Sequence, residues 1–427
     1  MEIRELYTLF TKSTGISTDT RKISEGNIFV ALKGPNFNGN AYATQALEKG
    51  AGYVVIDEAE FAKDERYILV DDGLKTLQKL SNYHRKQLNI PFIGITGSNG
   101  KTTTKELTFA VLSKKYKTFA TKGNLNNHIG VPLTLLSISK EIEIAIIELG
   151  ANHIGELAEL CEICEPTHGL ITNIGLDHLE GYGSLEGVAQ GNSELYYFLL
   201  KNNGKIFVNS QDEMLMRMSN RFSERILYGK QGDSIHSEII SNNFFLKVKT
   251  ENNIEIQTQL IGDYNLDNIN VALVIGKHFG ISIQDSAKAI EAYSPSNNRS
   301  QLLKKGTNSI ILDCYNANPS SMIKSLESFK KIEAQKKVVM IGDMFELGEH
   351  SQKEHRNIIE LVNSLKFDAA YFCGNEFLSN KQEVKGLYFF PNRESLAENL
   401  KATGLTNSAI LIKGSRGMVM EKLLEVL

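Results

Sequence analysis

Short apolar runs alternate with stretches of helical spacing along most of this chain, and that alternation predicts its elements. Near the start, Asn27–Leu32 and Tyr53–Ile56 have the apolar, β-branched character of strands. Helical spacing over Tyr42–Lys49 and Leu74–Gln87 separates and follows them. Asn89-Ile90-Pro91 then has the composition of a junction. From Phe92 onward the strand–helix alternation strengthens. Ile142–Glu148 and Gly169–Ile174 are nearly continuous apolar runs, the pattern of parallel strands buried on both faces. A helix is predicted over Ile154–Glu165, stopped by Pro166. Between Asn243 and Ile261 the period falls to two, as in Phe245-Leu246-Lys247-Val248-Lys249, which predicts a hairpin or edge strand turning at Glu251-Asn252-Asn253. A helix follows at Asn265–Phe279, and Ser294-Pro295-Ser296-Asn297-Asn298 forms a second boundary. Beyond it, strands at Ser309–Asp313, Lys337–Ile341, Ala369–Cys373 and Ala409–Ile412 alternate with helices, the pattern of another open α/β sheet. The fold class expected is α/β in three domains, spanning 1–88, 89–296 and 297–427.

One junction in this pattern carries chemistry. The apolar run Ile90–Ile93 feeds Gly94-Ile95-Thr96-Gly97-Ser98-Asn99-Gly100-Lys101-Thr102-Thr103, and a helix is predicted from Thr103 to Lys115, with Leu107, Ala110 and Val111 on one face. A strand, a glycine-rich turn and a helix start are the context of a phosphate loop. Glycines let backbone N–H groups fold inward, and the helix N-terminus adds roughly half a positive charge. Lys101 would reach outer phosphates and a threonine hydroxyl would ligate Mg²⁺. The general motif would place Gly where Ile95 stands, so the form here is T-G-x-x-G-K-T.

Size and charge narrow the classes. A length of 427 residues suits about two to four domains. With 47 Lys and Arg against 50 Asp and Glu, the net charge of −3 offers no basic footprint for nucleic acid. No run approaches the ~18 apolar residues of a membrane span. The start, Met1–Leu6, lacks the apolar core of a signal peptide, so a cytoplasmic protein is expected. Cys161-Glu162-Ile163-Cys164 matches C-x-x-C, but no second pair completes a zinc site. Two small residues on a helix face is the simpler account.

Other polar residues fall at strand ends. In open α/β sheets the ligand crevice lies there, beside any phosphate loop. Glu148 closes one apolar run and suits a Mg²⁺ ligand or a helix cap. His178 lies just past another, where a metal, substrate or structural role is open. Gly123–His128 supplies a polar loop that would read a substrate or cap the next helix. Arg299 and Asp313 flank the third domain's edge, and Lys413-Gly414-Ser415-Arg416-Gly417 suits a carboxylate or phosphate, or a plain βα turn.

Together these motifs resemble the Mur ligases, the amide-forming enzymes of bacterial peptidoglycan precursors, nearly end to end. Ser17-Thr18-Asp19-Thr20-Arg21 and Gly26–Gly34 are similar to the family's uridine-nucleotide-binding domain, which implies substrate contacts from Asp19, Thr20, Arg21 and Lys33. Thr96–Thr102 looks like its ATP loop, implying nucleotide contacts from Gly97, Ser98, Asn99, Gly100, Lys101, Thr102 and Thr103. Asn124–Pro132, Glu148–Asn152 and Asn173–Glu180 resemble further signatures. They imply substrate contacts from Asn126, Asn127 and His128, a metal held by Thr102, Glu148 and His178, and catalysis through Lys101, Glu148 and His178. The segment Gly262–Asn268 is similar to the adenine-contacting one, with Asn268 at the base. Arg299 would face the phosphates and Asp313 the ribose. Tyr315-Asn316-Ala317-Asn318-Pro319 and Gly342–Gly348 look like the members that add D-Ala-D-Ala, implying dipeptide contacts from Tyr315, Asn316, Asn318, Lys413 and Ser415.

The resemblance implies a small N-terminal α/β uridine-nucleotide domain, a central P-loop ATPase domain with a parallel sheet, and a C-terminal Rossmann-like domain for the incoming dipeptide. The reaction implied joins D-Ala-D-Ala to UDP-MurNAc-tripeptide with ATP and Mg²⁺, through an acyl phosphate, in a cytoplasmic monomer with no nucleic-acid or membrane partner. The alternative is another ligase of this superfamily that adds a single amino acid, as folylpolyglutamate synthases do. A weakened paralogue acting as a regulator is a different class, disfavoured by intact Lys101, Thr102, Glu148 and His178. One departure stands out: many members carry a carbamylated Lys holding a second Mg²⁺ where this chain has Asn192. An amide forms no carbamate and is a poorer Mg²⁺ ligand than a carboxylate. ATP and substrate are therefore expected to carry more of that metal's coordination.

Overall fold

The computed structural model describes residues 1–296 and 298–427. Part of the expected second boundary, Asn297, lies outside the described residues.

Strand Phe92–Thr96 lies inside a six-stranded parallel sheet, between Ile144–Glu148 and His168–Ile171. Thr118–Ala120 forms one edge, and Lys205–Asn209 with Ile226–Tyr228 completes the other. Its strands are apolar throughout because both faces are covered. Successive side chains alternate between two cores: Ile93, Ile95, Ile144 and Ile146 pack with helix Asn265–His278, while Phe92, Ala145 and Ile147 pack with helices Glu156–Cys164 and Leu185–Lys201. Cys161 and Cys164 are fully buried in the second core, as the packing account of that pair expects.

The loop helix begins at Lys101 and ends at Leu112, earlier at both ends than the spacing predicts. Gly100, with φ of 84°, turns the chain straight into the helix, a left-handed conformation that glycine adopts without steric cost. The period-two region is a three-stranded antiparallel sheet, Ser237–Asn243, Phe245–Thr250 and Glu255–Gln257, beginning before the stretch where alternation is visible.

Before the central sheet, a four-stranded parallel sheet runs in the order Ile16–Ser17, Ile28–Val30, Tyr53–Ile56, Tyr67–Leu69. Helix Gly73–Lys86 ties it to the middle of the chain, where buried Arg85 donates to the carbonyls of Cys164 (2.8 Å) and Glu165 (2.7 Å), closing the free end of helix Glu156–Cys164.

The last sheet has six strands and is Rossmann-like, with one departure. Asn308–Asp313, Ala409–Lys413, Lys337–Gly342, Ala369–Cys373 and Leu387–Phe390 are parallel, while Gln301–Lys305 adds an antiparallel edge that the sequence did not announce. That strand reads Gln-Leu-Leu-Lys-Lys and lies only half buried, so it carries no continuous apolar run. Register pairs Asp313 with Lys413 at the carboxyl ends of neighbouring strands.

Candidate active site

The carboxyl ends of the central sheet and of the last sheet face one cleft of about 510 Å³. On the central side it is lined by Ser98 to Thr103, by Asn126, Asn127 and His128, and by Glu148 and His178. Across from them stand Arg299, Asp313, Tyr315, Asn316, Asn318 and Lys413. Asn268 closes one end beside Leu260, Tyr264 and Asn265. Nearly all residues singled out for nucleotide and dipeptide thus meet in one place.

Glu148 is the electrostatic centre of the cleft floor. It ends its strand opposite Ile95, which places its carboxylate under the glycine loop. Oε2 accepts from Thr102 Oγ1 at 3.0 Å, and Oε1 accepts from Asn126 Nδ2 at 2.9 Å. Lys105 Nζ stands 3.2 Å from Oε2, and both side chains are only 4% exposed. Burial pushes the Glu148 carboxyl up, but Lys105, then Lys101 and Arg299, together with the Thr102 hydroxyl, outweigh it and hold the group below its ordinary range. Lys105 was not foreseen. It lies one turn past Lys101, and a lysine in a helix reads from sequence as a solvated residue; only the fold turns it inward.

The loop itself fits a phosphate chain. Helix Lys101–Leu112 starts with no side-chain cap, so its first N–H groups stay available at the cleft. Lys101 Nζ folds over the loop onto the Gly97 carbonyl and lies 3.4 Å from that of Ser98. A Cβ on Gly97 would meet Thr172 Oγ1 at 2.3 Å, and one on Gly100 would meet Asn268 Oδ1 at 2.7 Å, so both glycines are required by close approach. Asn268 Oδ1 accepts from Thr104 Oγ1 (2.9 Å) and its Nδ2 donates to Asn265 Oδ1 (2.8 Å), leaving each atom one further hydrogen-bonding capacity toward the cleft. One hydroxyl and one carboxylate side by side, Thr102 and Glu148, are the hard oxygen donors that suit a Mg²⁺ shared with phosphates. Among the described residues no cluster of three or more His, Cys, Asp or Glu could hold a metal without such help.

The opposite wall is built by the last sheet. Asp313 is held by Lys413 Nζ at 2.7 Å and by the Ser300 amide at 3.3 Å. Lys413 is 2% exposed, so it braces Asp313 and the Asn316 carbonyl (3.3 Å). The Arg299 guanidinium lies 3.6 Å above the Tyr315 ring. Asn318 caps helix Pro319–Lys331 through the Ser321 amide (2.8 Å), while its Nδ2 reaches across the cleft to Asn99 Oδ1 at 3.0 Å. Ser320 Oγ accepts from the Leu176 amide at 2.6 Å, a second bridge.

Several expected residues stand elsewhere. Ser415 is buried outside the cleft lining; its Oγ accepts from the Phe345 amide at 2.9 Å and donates to the Ala317 carbonyl at 3.5 Å. Asn127 lines the cleft, yet its Oδ1 caps the next helix through the amides of Ile129 (3.2 Å) and Gly130 (2.8 Å). Asp19, Thr20, Arg21 and Lys33 are absent from this lining and lie in the N-terminal part. Asp19 caps a short turn and pairs with Arg21 at 2.9 Å, and Lys33 pairs with Asp57 at 3.2 Å. Asn192 is buried with both ends of its amide engaged: Oδ1 accepts from Thr96 Oγ1 (3.0 Å) and Nδ2 donates to the Val188 carbonyl (2.9 Å).

A phosphate-type loop facing a second α/β sheet across a shared cleft defines a class, and sequence comparison agrees with it. Residues 95–276 match the Mur ligase middle domain, 298–416 the Mur ligase glutamate ligase domain, and 12–85 the catalytic domain of the Mur ligase family. The chain belongs to the Mur ligase family. It is 32% identical to the UDP-N-acetylmuramoyl-tripeptide–D-alanyl-D-alanine ligase of Bacillus subtilis (strain 168), over 96% of this chain and 92% of that one. Among solved structures it is similar to MurF of Acinetobacter baumannii, with a TM-score of 0.86, 29% identity and coverage of 96% and 92%. It is equally similar in fold to the MurF ligase of Thermotoga maritima in complex with ADP, with a TM-score of 0.86, 27% identity and coverage of 98% and 97%.

Proposed function

We propose that this chain is the cytoplasmic, monomeric ligase that joins D-Ala-D-Ala to UDP-MurNAc-tripeptide at the expense of ATP. The observation that carries the reading is the meeting of Ser98–Thr103, Glu148 and His178 with Tyr315, Asn316 and Asn318 around one cleft. The work divides by region: 1–88 for the nucleotide sugar, through Asp19, Thr20, Arg21 and Lys33; 89–296 for ATP; and 297–427 for the dipeptide. No helix among the described residues is long and apolar enough to cross a membrane, in keeping with a soluble precursor as substrate.

A carboxylate does not acylate an amine at neutral pH without activation. In this reading the tripeptide carboxylate takes the γ-phosphoryl group of ATP, and the dipeptide amine displaces phosphate from the resulting acyl phosphate. The chain's contribution is alignment and charge neutralisation. Lys101 swings from the Gly97 carbonyl to the outer phosphates, and the uncapped amides of its helix hold the inner ones. Arg299 faces the same phosphates, Asp313 the ribose, and Asn268 the base. Asn126, Asn127 and His128 meet the tripeptide, and Tyr315, Asn316 and Asn318 the dipeptide, with Lys413 and Ser415 bracing that wall. Thr102 and Glu148, with His178 nearby, would hold Mg²⁺, which neutralises charge on the transferring phosphoryl group when bound. The bridges from Asn318 and Ser320 tie the last sheet to the central loops, and closure over bound substrates would exclude water from the activated acid.

The test is an amide-formation assay with UDP-MurNAc-tripeptide, ATP and D-Ala-D-Ala, read by product mass. ATP cleavage without a condensed product, or condensation with a single amino acid instead, would overturn the reading.

A further inference from the structure

Glu346, from the loop after strand Lys337–Gly342, reaches out of the last sheet to His178 of the central one. Its Oε2 lies 2.6 Å from His178 Nδ1. Nδ1 is buried and makes no hydrogen bond of good geometry, so the two meet as a close polar contact. Both residues hold unusual backbone conformations for side-chain-bearing residues, with φ of 62° at Glu346 and 47° at His178. The backbones are joined too: the Glu180 amide donates to the Glu346 carbonyl at 3.1 Å. Further along the same seam, His350 Nε2 meets the Gly183 carbonyl at 3.1 Å. Glu346 and His178 both line the cleft.

A metal-ligating imidazole commonly donates its other ring N–H to a carboxylate, which fixes the orientation of the ring. Here it comes from a different domain, across the seam between the two sheets. We propose that Glu346 is a positioning residue: it engages Nδ1 of His178 and so points Nε2 at the shared metal and phosphate site only when the C-terminal domain is seated on the central one. Docking of the dipeptide-binding domain thereby completes the phosphoryl-transfer site. The seam makes this coupling direct, because the loop that carries Glu346 is anchored to the loop that carries His178 through the Glu180 amide. The proposal rests on the ligase reading of the cleft. It adds a residue to it that touches His178 and is given no contact with the reacting atoms.

The test compares Glu346→Gln, Glu346→Ala, His178→Ala and the double variant His178→Ala/Glu346→Ala. Glu346 has a side chain 55% exposed, so these substitutions leave the core intact. Binding of ADP with Mg²⁺, measured by calorimetry, should stay within about twofold in both Glu346 variants, because Lys101, Thr102 and Glu148 are untouched. Turnover should fall about tenfold or more, in kcat with KM for ATP little changed, consistent with loss of a general positioning effect. Glu346→Ala should cost nothing further in the His178→Ala background. In protein labelled with ¹⁵N-histidine, the Nδ1 resonance of His178 should move in Glu346→Gln. Full kcat in the Glu346 variants, multiplicative losses in the double variant, or an unmoved Nδ1 resonance would each overturn the proposal. If Lys101→Ala retains turnover, the ligase reading of the cleft fails instead, which separates the two.

Discussion

Lys105→Met removes the charge nearest to Glu148 while keeping the length and most of the volume of the side chain. The two groups lie 3.2 Å apart with 4% exposure each, so neither is solvated by water. Removing one partner of a buried pair costs about 3–5 kcal/mol, because the other charge is left uncompensated. Here Lys101 and Arg299 still act on Glu148, and the Thr102 and Asn126 hydrogen bonds remain, which places the expected loss near the lower end, about 3 kcal/mol. Adding Glu148→Gln should recover most of that loss. The amide can still accept from Asn126 and donate to the Thr102 oxygen, and no buried charge remains. Several sheets with separate cores need not unfold in one two-state transition, so the measurement is urea unfolding of the transition that ADP with Mg²⁺ shifts in the unsubstituted protein, since that one reports the central sheet. A loss below about 1 kcal/mol in Lys105→Met, or a double variant no more stable than the single one, would refute the claim that Lys105 is the resident counter-ion of Glu148.

Other outcomes follow from the same structure. Lys101→Ala should abolish turnover with unchanged circular dichroism, because its ammonium sits over the loop and is not part of a core; an active variant would remove Lys101 from phosphate binding. His168 Nε2 lies 3.3 Å from His278 Nε2, with Lys205 nearby, and its Nδ1 meets Thr167 Oγ1 at 2.9 Å. Burial, then His278 and Lys205, depress His168 to about 4. The unfolded chain therefore binds a proton that the folded one refuses, so this stability is present above about pH 6.5 and is lost as pH falls toward 4, roughly 3 kcal/mol over the full window. His168→Phe should flatten that part of the urea stability profile between pH 7 and 4.5, and an unchanged slope would contradict it. Asn192→Lys should change the Mg²⁺ dependence of the reaction if ATP and substrate now carry the second metal; identical dependence with no carbamate in the variant would count against that account.

Much of the architecture was legible along the chain because it depends on short-range periodicity. The apolar runs at Phe92–Thr96 and Ile144–Glu148 had to be strands covered on both faces, and a glycine turn between a strand and a helix had to leave free amides at the helix start. Glu148 was placed from sequence at a strand end and His178 past one, and although the second strand stops earlier, at Ile171, the fold brings both to the cleft. The edge strand Gln301–Lys305 escaped because a half-buried edge lacks the apolar signal that burial imposes. What no local pattern contained was pairing across distance. Lys105 meets Glu148 because the loop helix packs over the neighbouring strand, and Asp313 meets Lys413 because two strands adopt one register. Glu346 meets His178, and Asn318 meets Asn99, because two sheets are seated face to face. Local sequence sets which faces are apolar and where the chain turns; which charges end up sharing a low-dielectric space depends on packing between segments far apart in the chain, and that was decided only by the tertiary structure.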